Sequence, residues 1–306
     1  MEKRRIGSLD VSVVGLGCNN FGGRLDADAT AVIVNATLDT GVNFFDTADV
    51  YGGTKSEEFM GRAFGKRRDE VVLATKFGHK VDETRRGASP AYIAQAVEDS
   101  LKRLQTDRID LYQLHTPDTS VRIGDTLEAL DKLVKAGKVR EIGCSNFSVA
   151  QLREAEAAVK SGAARFVSVQ NEYSMLDRAP EDDGVLAETE KAGVAVLPYF
   201  PLANGLLTGK YRKGQPLPEG TRIKEGHRDL TDANLETVEA LIAFSEARGH
   251  TILELAFSWL LAHSTVASVI AGATKTEQVQ ANAAAANWRL SEADLAEVNR
   301  ILSPSA

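Results

Sequence analysis

The chain has 306 residues, of which 43% are hydrophobic and 26% are charged, a balance that excludes a largely disordered protein and predicts a folded core. Its formal net charge of -7 argues against a surface that binds the phosphates of nucleic acids. Two cysteines exclude a disulfide scaffold, and the polar N-terminus and the lack of a long apolar run predict a cytoplasmic protein without a membrane span.

Short apolar runs alternate along the chain with segments of helical period, and no low-complexity linker interrupts them. Residues 3–12, with Gly7 in the middle, predict a small hairpin at the start. Eight apolar runs then predict strands buried on both faces, at residues 13–16, 42–46, 71–74, 109–112, 139–143, 166–169, 194–197 and 266–270. Residues typical of helix starts and ends lie between these runs. They predict helices at residues 29–40, from 56 onward, and at 89–104, 126–136, 148–160, 185–192, 251–262 and 276–286.

Eight strand–helix units of the α/β class predict a (β/α)8 TIM barrel, formed as a single domain by residues 1–306. The same alternation also suits an open, doubly wound sheet, but the count of eight favours the closed barrel. Residues 232–248 and 292–302 have helical period but no place in the repeat. We therefore expect two extra helices packed outside the barrel, and the N-terminal hairpin across one of its ends.

Polar side chains stand at the ends of the predicted strands, where a barrel of this kind places its active site. Asp46 ends the second strand, with Tyr51 just beyond it, while Lys76 follows the third strand and His115 the fourth. Lys76 comes directly after an apolar run, where its ammonium group needs a partner, and Asp46 on the next strand is the natural one. Singly, Asp46 is also explained by turn chemistry, His115 as a core histidine and Tyr51 by packing. Together, on three adjacent strands, they predict an active site.

The four side chains have the chemistry of a general acid. A free phenol has a pKa of about 10, which is too high for efficient proton donation at neutral pH. We expect the Lys76 ammonium to lower the pKa of Tyr51, and Asp46 to keep Lys76 charged and in place. His115 can orient a carbonyl oxygen toward the phenol. Such a site suits the delivery of hydride to a carbonyl carbon, which needs a nicotinamide cofactor.

The remaining strand ends predict where that cofactor binds. Ser145, Asn146 and Gln170 offer hydroxyl and amide groups for a carboxamide, and Tyr199 offers a flat face for the nicotinamide ring. Residues 272–275 precede a predicted helix, so that backbone N–H groups and the Lys275 side chain suit a phosphate there.

Several sequence motifs resemble those of the aldo-keto reductases, occur in the same order and extend over nearly the whole chain. The matching segments are 43–52 (NFFDTADVYG), 74–78 (ATKFG), 110–115 (DLYQLH), 142–147 (IGCSNF), 169–173 (VQNEY) and 205–211 (GLLTGKY). The chain ends soon after Leu302, without the long C-terminal loop of the steroid-type members. It is therefore most similar to the bacterial and channel beta-subunit branch.

The resemblance implies NADPH/NADP+ as the cofactor and a small carbonyl compound, an aldehyde or ketone, that is reduced reversibly to an alcohol. It assigns the catalytic tetrad to Asp46, Tyr51, Lys76 and His115, with the proton coming from Tyr51, and it places Lys275 at the 2′-phosphate. The cofactor-binding residues that it implies are Ser145, Asn146, Gln170, Tyr199, Pro201, Leu202, Gly205, Lys210, Gly272, Thr274, Lys275, Gln278 and Asn282. Residues 78–89, 116–124 and 203–230 would form the substrate mouth. Phe200 stands where relatives often carry serine.

Other interpretations stay open or are weaker. Residues 15–20 imitate a dinucleotide-binding fingerprint, but Asn20 takes the place of its third glycine. The five histidines show no i,i+4 pair, so we expect no metal. A subunit that senses NADPH and turns over very slowly is an alternative to the reductase, and a lyase or isomerase with a Schiff base on Lys76 is a further one. The sequence is compatible with a homo-oligomer and leaves the substrate and the direction of reaction open.

Overall fold

The computed structural model of the protein describes residues 1–303, so residues 304–306 of the predicted domain lie outside the described residues. No helix of the described range is long and apolar enough to cross a membrane. Cys18 and Cys144 are both free thiols in the buried core, where they pack as small core residues.

An antiparallel hairpin begins the chain, formed by β1 (Lys3–Ile6) and β2 (Leu9–Ser12), and it confirms the prediction for this segment. Gly7 has a φ of 55° in the turn, a conformation that glycine adopts without strain. Alternate hairpin residues, Ile6, Leu9 and Val11, pack into the small apolar cluster inside the barrel. The hairpin therefore closes the amino-terminal end of the barrel and leaves the carboxyl end of the strands open.

Eight parallel strands follow, and each overlaps or adjoins the apolar run that predicts it. They are β3 (Val14–Gly17), β4 (Phe44–Asp46), β5 (Val72–Phe77), β6 (Ile109–Leu114), β7 (Val139–Ser145), β8 (Phe166–Gln170), β9 (Ala195–Val196) and β10 (Val269–Gly272). Their order is β10-β3-β4-β5-β6-β7-β8-β9. A parallel bridge between Val196 and Val266, just before β10, joins the two ends of this sheet. The α/β barrel prediction is thus confirmed.

Helices cover the outside of the barrel. They are α1 (Ala27–Asp39), α2 (Lys55–Phe64), α3 (Pro90–Leu104), α4 (Ile123–Lys135), α5 (Val149–Ala158), α6 (Ala179–Asp182), α7 (Val185–Ala192), α8 (Asp232–Glu246), α9 (Ile252–Leu261), α10 (Thr276–Ala285) and α11 (Glu292–Leu302). Ser148 and Thr251, the first residues of two of the predicted helices, are the N-caps of α5 and α9 and accept hydrogen bonds from their first turns. The two extra helices are α8 and α11, which pack against each other.

Strand ends are where the predictions were least accurate. The third strand of the barrel was predicted to stop at residue 74, but β5 continues to Phe77 through the buried polar side chains of Thr75 and Lys76. The last strand was predicted over residues 266–270 and lies instead at Val269–Gly272. Hydrophobicity locates the apolar middle of a strand, but buried polar residues on either of its faces continue it.

Candidate active site

Because side chains alternate between the two faces of a strand, several polar side chains point into the barrel, closer to the carboxyl ends of the strands than its apolar cluster. Asp46, Lys76 and Gln113 each lie two residues beyond a member of that cluster, so their side chains share its side of the strand. The cluster members concerned are Phe44, Ala74 and Leu111. Lys76 is the register partner of Gln113 on the neighbouring strand. A polar layer therefore forms at the carboxyl end of β4, β5 and β6.

Lys76 and Asp46 form a buried ion pair in this layer. Lys76 Nζ donates to Asp46 Oδ2 at 2.6 Å and to the Thr47 carbonyl oxygen at 2.9 Å. Burial alone would lower the pKa of Lys76, but the Asp46 carboxylate and the Tyr51 phenol oxygen outweigh it, so the pKa lies above its usual value. Lys76 is thus a fixed ammonium group, and the partner that the sequence suggested is the one it has.

Tyr51 lies against this ammonium group. Lys76 Nζ is 5.2 Å from the centre of the Tyr51 ring. Lys76 lowers the pKa of the phenol as expected, but burial raises the pKa of Tyr51 by more than Lys76 lowers it, and Asp46 also raises it, so the net pKa lies above the usual value. Burial could not be read from the sequence. The phenol is therefore protonated at neutral pH, in the state that an acid needs.

The loop that carries Tyr51 is held by close backbone packing. The Asp49 amide donates to the Lys76 carbonyl at 3.1 Å, which ties the loop to β5. Gly52 has a φ of 59°, and a Cβ on it would lie 2.3 Å from the Phe21 carbonyl oxygen. Only glycine fits this approach, so Gly52 fixes the position of the residue before it.

His115 stands beside the phenol as a neutral imidazole. Its ring centre is 5.8 Å from that of Tyr51, at an interplanar angle of 79°. Burial, then Lys76 and His79, lower the pKa of His115 to about 2. The His79 ring packs on His115 with 4.0 Å between centres. Sequence reasoning placed His79 only within the substrate mouth, although its position three residues after Lys76 was a usable signal.

The four residues predicted at the nicotinamide form one hydrogen-bonded network next to these side chains. Ser145 Oγ donates to the Gln170 carbonyl at 2.7 Å, and Tyr199 Oη donates to Asn146 Oδ1 at 2.9 Å. Asn146 Nδ2 donates to the His115 carbonyl at 2.9 Å. The Tyr199 ring is thereby anchored at its hydroxyl end.

Gln170 also reaches the ion pair, which the sequence did not suggest. Its Nε2 donates to Asp46 Oδ1 at 3.0 Å, and Gln113 Nε2 donates to the same oxygen at 3.1 Å. Gln113 was part of a recognised motif but had no predicted role. Its position two residues before His115 was the available signal, because that spacing places both side chains on one side of β6.

The remaining predicted cofactor residues form two outer groups. Pro201, Leu202, Gly205 and Lys210 lie on the loop after β9, where a Cβ on Gly205 would come within 3.0 Å of Lys210 Nζ. The second group lies just before α10 and along it, and consists of Gly272, Thr274, Lys275, Gln278 and Asn282. There the Thr274 amide donates to Gln278 Oε1 at 2.7 Å, and Lys275 is the exposed N-cap residue.

Arg222 is a rim residue that sequence reasoning missed. Its guanidinium lies 5.7 Å from the centre of the Phe200 ring and 3.3 Å from Asn20 Oδ1. Among residues 1–303 no carboxylate pairs with this half-buried cation, and burial, with Arg24 adding to it, lowers its pKa below the usual value for arginine. A position inside a long aperiodic loop gave no sequence signal. The contact between the Arg222 guanidinium and the Phe200 ring gives Phe200 a role at the position where relatives often carry serine.

No group of three or more His, Cys, Asp or Glu side chains in the part of the chain that the structure describes is arranged to hold a metal ion. The four side chains of the predicted tetrad bring together one ammonium, one carboxylate, one phenol and one neutral imidazole. This set can hold a proton at a phenol oxygen and stabilise negative charge next to it.

Comparison with known proteins agrees with this geometry. A family model described as "Aldo/keto reductase family" matches residues 13–303. A Schizosaccharomyces pombe aldo-keto reductase, yakc, whose name specifies NADP(+), is 33% identical over 309 residues, covering 96% of this chain and 89% of its own length. A probable voltage-gated potassium channel subunit beta of Arabidopsis thaliana is 34% identical over 296 residues, covering 92% and 90%. The holo form of an aldo-keto reductase from Bacillus halodurans superposes with a TM-score of 0.81 at 34% identity, covering 98% and 96%. The chain therefore belongs to the aldo/keto reductase family of oxidoreductases.

Proposed function

We propose that the protein is an NADPH-dependent reductase that converts aldehydes or ketones to alcohols, reversibly. The observation that carries the proposal is the arrangement of Tyr51. Its protonated phenol lies against the Lys76 ammonium, which Asp46 holds at 2.6 Å, and beside the neutral His115. This is the arrangement that an acid needs in order to protonate an oxygen that gains charge.

The side chains have separate parts in the proposed reaction. Bound NADPH would supply hydride to the carbonyl carbon. Tyr51 would give its proton to the carbonyl oxygen as that oxygen becomes negative, and the Lys76 ammonium would stabilise the phenolate that remains. His115 would orient the carbonyl oxygen, because a neutral imidazole can donate one hydrogen bond without holding a second proton.

The residues around the site fit such a cofactor. Tyr199, anchored by Asn146, presents a ring face next to the polar layer, and Gln170 offers an amide there. Arg222 is a half-buried cation that lacks a carboxylate partner in residues 1–303, which suits a pyrophosphate. Lys275 at the start of α10 would hold the 2′-phosphate, together with the backbone N–H groups of the first turn.

The proposal includes three broader parts that the sequence analysis suggested. We propose that the partner is a small carbonyl substrate that enters between residues 78–89, 116–124 and 203–230. We also propose a cytoplasmic location and a single domain over residues 1–306.

The test is the loss of NADPH absorbance with a panel of aldehydes and ketones, measured for the wild-type protein and for Tyr51→Phe. We expect steady turnover by the wild type, loss of turnover in the variant and unchanged NADPH binding by fluorescence titration. Tyr112→Phe is a matched control, because Tyr112 Oη, on β6, is buried without a hydrogen-bond partner in the described residues. An unchanged kcat in Tyr51→Phe would contradict the acid role.

The similarity to a probable channel subunit favours one second candidate, a subunit that binds NADPH as a sensor. Such a protein would bind NADPH and release it very slowly. A single turnover per protein molecule, followed by no further absorbance change with any carbonyl compound, would support the sensor over the reductase.

A further inference from the structure

Gln113 makes an unusual contact with the Asp46 carboxylate. Its side chain is fully buried, and its Nε2 donates to Asp46 Oδ1 at 3.1 Å. The other half of the amide, Oε1, is buried without a hydrogen-bond partner in the described residues. The side chain therefore makes one of its hydrogen bonds and leaves its acceptor unpaired, which costs stability.

Space for this side chain comes from a glycine on the next strand. Gly143 is the register partner of Gln113. A Cβ on Gly143 would lie 3.2 Å from Gln113 Cγ and 2.3 Å from Ser168 Oγ. The barrel interior thus leaves room for an amide at this position, although a leucine of similar size would fill it without an unpaired oxygen.

We propose that Gln113 is a positioning residue, which holds the Asp46 carboxylate in the one orientation that directs an N–H of Lys76 at Tyr51. This inference rests on the proposed function. Lys76 has three N–H groups. Two of them are taken, by Asp46 Oδ2 at 2.6 Å and by the Thr47 carbonyl at 2.9 Å.

The third N–H of Lys76 points at Tyr51 only while the first two bonds keep their directions, because the ammonium group is tetrahedral. Asp46 can rotate about its Cβ–Cγ bond unless Oδ1 is held as well. Gln113 and Gln170 both donate to Oδ1. Gln170 also belongs to the proposed cofactor site, so Gln113 is the donor that holds Asp46 independently of the cofactor.

The variant that tests this is Gln113→Leu, with Ser168→Ala as its control. Ser168 also lies inside the barrel and has a buried hydroxyl without a partner in residues 1–303, but it makes no hydrogen bond to Asp46. We expect Gln113→Leu to weaken the effect of Lys76 on the phenol. The pKa of Tyr51 should rise by about one unit, and alcohol oxidation at neutral pH should slow about tenfold with its pH profile moved to higher pH.

The pKa of Tyr51 can be followed without turnover, by NMR of ring-labelled tyrosine against the Tyr51→Phe background. If the wild type reduces no carbonyl compound, the proposed function fails while this titration still decides the role of Gln113. We expect the melting temperature of Gln113→Leu to stay at or above that of the wild type. An unchanged Tyr51 titration, or an equal shift in Ser168→Ala, would overturn the proposal.

A second variant, Gln113→Glu, separates hydrogen bonding from packing. The introduced acid would lie about as close to Asp46 as the amide does now, and the two carboxyl groups would share a proton. Activity should be closest to wild type at low pH, where the acid still donates, and should fall as the pH rises through its raised pKa. A profile parallel to that of the wild type would contradict the positioning role.

Discussion

Lys76 Nζ lies 2.6 Å from Asp46 Oδ2, with exposed side-chain fractions of only 0% and 6%. Removing one partner of such a pair leaves an uncompensated charge in the barrel, because water cannot replace the lost contact. We therefore expect Lys76→Met to destabilise the protein by about 3–5 kcal/mol in urea unfolding. Carbonyl reduction should fall by about 100-fold or more, as for the loss of a general acid–base contribution.

The double variant Asp46→Asn, Lys76→Met removes both charges and controls for this effect. It should regain much of the lost stability but none of the activity. If the double variant is as unstable as Lys76→Met, the loss comes from packing and not from the unpaired carboxylate.

Much of the barrel could be predicted from the sequence, and the reason is physical. A strand buried on both faces needs a continuous apolar run, so β3 and β5 begin where such runs occur. The tetrad could be predicted from the polar residues that lie at the ends of those runs or just beyond them. The net pKa of Tyr51 did not, because it depends on burial by residues far apart in the chain.

Two other features lay beyond sequence reasoning for a different reason. Arg222 meets Phe200 and Asn20 only because a long loop without regular period crosses the rim. The short helix α6 spans too few residues, Ala179–Asp182, to show a helical period. Contacts made by aperiodic segments leave no pattern in the sequence.

Gly52 next to Tyr51 provides a test of how tightly the acid is placed. A Cβ on Gly52 would lie 2.3 Å from the Phe21 carbonyl oxygen, whereas a Cβ on Gly53 would have no atom within 4 Å. Both have a positive φ, so alanine at either costs about 1–2 kcal/mol of backbone strain. Only Gly52→Ala should also displace Tyr51 and lower kcat strongly, with little change in KM. Equal kcat values for the two variants would show that the loop tolerates displacement.

Lys275 tests the choice between NADPH and NADH. If its ammonium group binds the 2′-phosphate, Lys275→Ala should weaken NADPH binding by about 1–3 kcal/mol and leave NADH binding nearly unchanged, because NADH lacks that phosphate. Fluorescence titration with each cofactor measures this. Lys191→Ala, which removes an exposed lysine from α7, is the control. Equal losses for both cofactors would contradict the role of Lys275.

The same two titrations test whether Arg222 binds the pyrophosphate of the cofactor. A pyrophosphate is common to both cofactors, so Arg222→Ala should weaken NADPH and NADH by similar factors, about tenfold or more for a charge-assisted contact. Arg212 on the same segment pairs with Glu239 at 2.6 Å, which makes Arg212→Ala a matched control with little expected effect. A loss confined to NADPH would place Arg222 at the 2′-phosphate instead.

The raised pKa of Asp49 predicts that the stability of the folded protein depends on pH in an unusual way. Its side chain is buried, and burial, together with the nearby Glu57, raises its pKa from 3.8 to about 7, while Arg103 and a hydrogen bond from Tyr92 lower it in part. The folded protein then holds a proton on Asp49 between about pH 4 and pH 7, where the unfolded chain has lost it. This contribution to stability is complete below pH 4 and is lost as the pH rises to 7.

Asp49→Asn removes the titrating group but keeps a similar shape and an acceptor for Tyr92. The variant should gain stability relative to the wild type as the pH rises from 5 to 8, by up to about 3 kcal/mol, because roughly two units of the shift lie between pH 5 and the pKa of about 7. Urea unfolding at several pH values measures the difference. Asp69→Asn is a control, because Asp69 is exposed and Arg108 lowers its pKa, so it stays ionised from pH 5 to pH 8 and its difference from the wild type should not change with pH there. A constant difference between wild type and Asp49→Asn from pH 5 to pH 8 would show that Asp49 is ionised throughout.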